Sequence, residues 1–67
     1  MSNRLTELLY DRRWTKAELA RQSGVSAANI GRIEAGVIRP SVDTAHKLAA
    51  ALGVTVDELF PSPEAVA

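Results

Sequence analysis

Ala17-Glu18-Leu19-Ala20-Arg21-Gln22-Ser23 and Ser26-Ala27-Ala28-Asn29-Ile30-Gly31-Arg32-Ile33 are two short segments that meet across Gly24-Val25. Each carries apolar residues at helical spacing, so two helices separated by a three- or four-residue turn are expected. Such helices cross steeply only where the side chains at the crossing are small, and Ala20 provides that clearance. Gly24 adopts a left-handed turn conformation at little cost. Val25, Ile30 and Ile33 then face a shared core. Ser26 is placed to cap the second helix of the pair, whose periodic stretch continues to about Ala35.

Working outward, Thr15-Lys16-Ala17-Glu18 has the pattern of a capping box that opens the first helix of the pair, with Trp14 and Leu19 spaced as a hydrophobic staple. Before it, Leu5, Leu8 and Leu9 share one face of a helix from about Asn3 to Arg12. After it, Gly36 stops the helix, and Pro40 excludes helical geometry at Arg39, so Val37-Ile38-Arg39-Pro40 reads as an extended connection. Ser41 caps a fourth helix with an inner stripe of Ala45, Leu48, Ala49 and Leu52, ended by Gly53. Thr55-Val56-Asp57-Glu58 is a second capping box, opening a brief fifth helix with Leu59 and Phe60 inward. No segment alternates with period two. The expected fold is all-α, a compact bundle of five helices.

A chain of 67 residues makes one domain and buries only about 60% of the surface of its unfolded form. Its apolar content of 46% suffices for a globule, and the absence of cysteine removes disulfide and thiolate-metal frameworks. The longest apolar run, Leu48 to Leu52, falls far short of a membrane span. The N-terminus lacks the layout of a secretory signal, and a cytoplasmic location is expected. Net charge is zero but unevenly spread. Residues 1–40 hold seven bases and four acids, whereas residues 41–67 hold one base and four acids. A neutral chain polarised in this way can still present a face that attracts phosphate.

The tract Ala17-Glu18-Leu19-Ala20, Gly24-Val25-Ser26, Ile30-Gly31-Arg32-Ile33-Glu34-Ala35-Gly36, Arg39-Pro40-Ser41 and Leu52-Gly53-Val54, with Leu59-Phe60 behind it, resembles the Cro and phage-repressor-like (XRE-like) helix-turn-helix family. The resemblance covers roughly Arg4 to Phe60. It implies a lambda-repressor-like bundle over residues 1–60 that binds operator DNA, with residues 61–67 as a short flexible tail. It further implies a transcriptional regulator, most members regulating transcription as dimers on operator DNA, and a repressor is expected. Antitoxins and restriction-modification controllers also occur among such proteins.

In that arrangement the third helix lies in the major groove with its N-terminal residues nearest the base edges. With Ile30 and Ile33 inward, Ala27, Ala28, Asn29, Gly31 and Arg32 are the candidate base contacts. Arg32 can make two hydrogen bonds to guanine, whereas the two alanines offer only apolar contact, for example to a thymine methyl. Gly31 either lets helix and DNA approach closely or is a tolerated surface glycine. Thr15 and Lys16 start a helix whose amides and dipole favour anions. With Ser26 and Arg39 they form the candidate phosphate clamp. Arg12 and Arg13 are weaker candidates. The resemblance also places an arginine at the position of Leu9 in many relatives, paired with the glutamate that is Glu34 here, and glycine at the position of Arg13. Glu34 must therefore find another base, face water, or shift its pKa.

One such domain reads few base pairs, so a symmetric homodimer on double-stranded DNA is expected. The candidate dimer surface is Val37, Ile38, Val54 and Val56, with Leu59 and Phe60 assigned to the core. An enzymatic role is not expected: His46 is placed away from the inner stripe of its helix, the acids are dispersed, and there is no phosphate loop. No cofactor, metal or small-molecule ligand is anticipated.

Overall fold

In the computed structural model, which describes residues 3–61, the helices are α1 (Leu5–Arg12), α2 (Lys16–Ser23), α3 (Ala27–Glu34), α4 (Val42–Leu52) and α5 (Val56–Leu59). There is no strand among the described residues. The expected tail at 61–67 lies outside them apart from Pro61. Four helices start on a hydroxyl: Thr15, Ser26, Ser41 and Thr55 each accept a hydrogen bond from the amide three residues on. Each such cap satisfies a donor the helix cannot, worth about 1 kcal/mol. The box at Thr55 is complete, with the Glu58 carboxylate accepting from the Thr55 amide.

The box expected at Thr15 is only half made. Thr15 accepts from the Glu18 amide at 3.1 Å, but the Glu18 carboxylate turns down its own helix to accept from Gln22 at 2.8 Å and from Arg21. Those partners hold its pKa below the ordinary value, through the Gln22 hydrogen bond first. The start of α1 is a second correction. The helix begins at Leu5 rather than Asn3, because Asn3 is used as a tie: its Oδ1 accepts from the Leu5 amide and its Nδ2 donates to the Ile33 carbonyl at 3.0 Å. The Arg4 amide donates to the Leu59 carbonyl, anchoring the same end to α5.

The core is the set of inward positions the periodicity marked out, including Leu19, Ile30, Ile33, Leu48 and Leu59, with Phe60 closing it. The α2 helix packs on both α3 and α4, and α5 packs on α4. Val54, Val56, Ala20 and Trp14 lie partly buried against this cluster. The Trp14 amide donates to the Leu9 carbonyl at 2.9 Å, fixing the chain where it leaves α1.

Gly24 and Gly53 end α2 and α4 in the left-handed conformation. The same conformation ends α1, but there the residue is Arg13, at φ 57°. An L-residue with a Cβ is disfavoured in that region by about 1–2 kcal/mol. Part of that is recovered by the greater freedom of glycine when unfolded. Arg13→Gly should therefore stabilise the domain by about 0.5–1 kcal/mol, seen as a raised denaturation midpoint; an unchanged or lowered midpoint would contradict this account.

Candidate nucleic-acid interface

The pair of capped N-termini at α2 and α3 defines the candidate surface. Thr15 and Ser26 are exposed, and their side chains hold the first turns in helical register. On α3, Ala27, Ala28, Asn29 and Arg32 are exposed, while Ile30 and Ile33 are fully or almost fully buried. The expected base-contact residues therefore share the open side of one helix, with Gly31 half-buried beside them. A Cβ added at Gly31 would meet only the Lys16 side chain, at an ordinary 3.9 Å. Packing within the domain does not require a glycine there. The Arg32 guanidinium donates to Asn29 Oδ1 at 3.2 Å, so the two polar side chains of this face are linked one helical turn apart.

Lys16 is engaged. Its ammonium lies 2.9 Å from Glu34 Oε1, and the Thr6 hydroxyl donates to Glu34 Oε2 at 2.6 Å. The carboxylate at the end of α3 thus gathers α1 and the start of α2, and this is the replacement partner for Glu34 that Leu9 cannot supply. The Glu34 pKa is lowered from its ordinary 4.5, by the Thr6 hydrogen bond first and by Lys16, against an opposing effect of burial. The unfolded chain takes up this proton at higher pH than the folded one. The contribution of Glu34 to stability is accordingly full above the ordinary glutamate range and lost as pH falls through the lowered folded value. Thermal melts at neutral and acid pH should show a smaller acid loss for Glu34→Gln than for the wild type. Identical losses would remove Glu34 from the account.

Among the described residues, three of the seven bases of the basic front are paired with acids, and Arg12, Arg13, Arg32 and Arg39 are not. Arg4 pairs with Glu7, Arg21 with Glu18 and Lys16 with Glu34. Arg12 points into the molecule, donating to the Leu8 carbonyl at 3.1 Å and to the Leu52 carbonyl at the end of α4. It clasps α1 to the end of α4; a base in the last turn of a helix is the sequence signal that could have found it. Among the described residues Arg32 and Arg39 make no ion pair, and both are exposed.

The candidate dimer residues divide into two kinds. Val37 and Ile38 are exposed, at 71% and 36%. Val54 and Val56 are half-buried and line a shallow groove with Ala49, Ala50, His46 and Asp57. Two exposed apolar side chains escaped the sequence reading: Val42, at the first position of α4, and Tyr10, on the outer side of α1. His46 is exposed, as its place off the inner stripe requires. No helix among the described residues is long and apolar enough to cross a membrane.

Comparison with known proteins agrees with this geometry. A family model described as helix-turn-helix matches residues 7–59. The chain is also similar to the HTH-type transcriptional regulator SutR of Escherichia coli (strain K12), with 34% identity over 64 residues. That match covers 96% of this chain and 36% of the relative, so the chain spans about a third of the length of the curated protein it matches.

Proposed function

The chain belongs to the helix-turn-helix family, and from that premise we propose that it is a DNA-binding transcriptional regulator that represses by occupying an operator. The observation that carries this reading is the open side of α3. Its side chains are short or polar, its inner side is fully committed to the core, and it stands beside the capped start of α2. Inserted in the major groove, α3 brings Ala27, Ala28, Asn29, Gly31 and Arg32 to the base edges, with Gly31 keeping the helix surface low. Thr15, Lys16, Ser26 and Arg39 flank it and face the phosphates. The action is one of occupancy, not catalysis, and its setting is the cytoplasm.

The binding unit is a homodimer on a two-fold site, with half-sites about 34 Å apart. Val37 and Ile38, with the exposed Val42 at the start of α4, supply apolar area that the domain leaves uncovered. Val54 and Val56 contribute the second part of the surface.

Two measurements test this. Affinity for duplex DNA should fall with salt, with a log–log slope near −0.9 per phosphate contact. Because Lys16 is already paired with Glu34, Arg39→Ala should flatten that slope more than Lys16→Ala. Both should weaken binding equally on all sequences. Absence of binding at low salt would refute the DNA reading. Sedimentation with a palindromic site tests the dimer, and a strict one-to-one complex would refute it.

A further inference from the structure

Each side-chain acceptor on α3 and its cap already holds a donor from the protein, so a ligand donor would have to compete for it. Asn29 Oδ1 accepts from Arg32. Both carboxylate oxygens of Glu34 are taken, one by Lys16 and one by Thr6. The Ser26 hydroxyl oxygen accepts from the Asn29 amide, leaving its O–H to donate. What remains for a ligand is the rest of the Arg32 guanidinium, the Asn29 side-chain NH2, and the methyl groups of Ala27 and Ala28. This surface offers donors and methyls.

Base edges in the major groove differ in what they ask for. Guanine presents two acceptors, N7 and O6; thymine presents the O4 acceptor and a methyl group. Adenine and cytosine each present an amino donor that needs an acceptor from the protein. An asparagine reads adenine by giving a donor to N7 and an acceptor to N6; here Oδ1 already accepts from Arg32, so N6 would have to share it with the guanidinium. We infer that α3 favours guanine and thymine over adenine and cytosine on the contacted strand, with Asn29 acting as a donor beside Arg32 rather than as an adenine reader. Asn29 also orients the guanidinium, since the shared hydrogen bond ties Arg32 to the next turn of the helix. The two residues therefore read together.

This inference rests on the DNA-binding reading above, and its test separates the two. The full chain is used to select bound sites from a random duplex pool. The selected duplex is then remade with adenine, or with 7-deazaguanine (which lacks the N7 acceptor), at the guanine whose preference depends on Arg32. Adenine should weaken binding about 5- to 150-fold, the range for one bidentate base contact, and 7-deazaguanine, which keeps O6, by a smaller factor. Arg32→Ala should erase the guanine preference at that position. Asn29→Ala should reduce the same preference without creating one for adenine; both positions are exposed, so the fold is retained. Enrichment of adenine or cytosine that disappears in Asn29→Ala would overturn the inference while leaving DNA binding intact, as would equal binding of all four bases at the contacted positions. Failure to bind any duplex at low salt would instead overturn the function on which the inference depends.

Discussion

Leu19→Ala should unfold most of the population at physiological temperature or bring the domain close to that point. Leu19 is fully buried, and α2, which carries it, packs against both α3 and α4. Truncating a buried leucine removes its transfer free energy and leaves a cavity, at a cost of about 2–5 kcal/mol. A domain of this length has on the order of 3–10 kcal/mol in total by the usual per-residue scale. The substitution therefore removes a large fraction of the stability, and DNA binding should be lost with it. Chemical denaturation read by helical circular dichroism checks the result. A midpoint shift equivalent to less than about 1 kcal/mol would mean that the cavity collapses around α2 and that Leu19 is not the keystone its burial indicates.

Arg12→Met should cost about 2–4 kcal/mol. Methionine keeps most of the apolar stem and removes only the guanidinium. That group donates to the Leu8 carbonyl within α1 and to the Leu52 carbonyl at the end of α4. Hydrogen bonds from a charged donor are worth about 1.5–3 kcal/mol each, and the freed carbonyls are only partly reached by water. The positive charge also opposes the negative ends of two helices. Arg12→Lys should recover part of the loss, since one ammonium can still reach one carbonyl. A methionine variant as stable as the wild type would make Arg12 a surface charge again, and would return it to the list of candidate phosphate contacts.

The fold could be read from the sequence because its signals are local. A hydroxyl before each periodic stretch and a glycine after it delimit α2 and α4, and helical spacing identified the buried residues within the helices, though not Pro40 in the loop before α4. The left-handed end of α1 carries no local signal, because Arg13 occupies it; only the resemblance, which places glycine there in relatives, pointed to it. The polar links were not readable, because they join residues far apart in the chain. Nothing in the spacing of Thr6, Lys16 and Glu34 announces their meeting, nor that of Asn3 with Ile33 or Arg12 with Leu52. The capping box at Thr15 failed for a different reason: Gln22 and Arg21 compete for the same carboxylate and hold it. As for the candidate site, helical spacing placed the exposed side chains of α3. It could not show that Arg32 and Asn29 are bonded, or that Lys16 is neutralised.

The helices α1, α2 and α3 each have eight residues, and α5 has four. Segments this short cannot persist alone in water, because the unfavourable first turn is never repaid by enough later ones. Their caps improve the odds without reversing them. Each helix is present only because its neighbours are, so opening of the chain should be all-or-none. The slowest-exchanging amide hydrogens of α2, α3 and α4 should share one free energy of opening, equal to that of global unfolding. A folding lesion anywhere in the core would then leave every surviving molecule with an intact α3 surface and lower only the number of such molecules. Dose, rather than affinity, is what such a lesion would change.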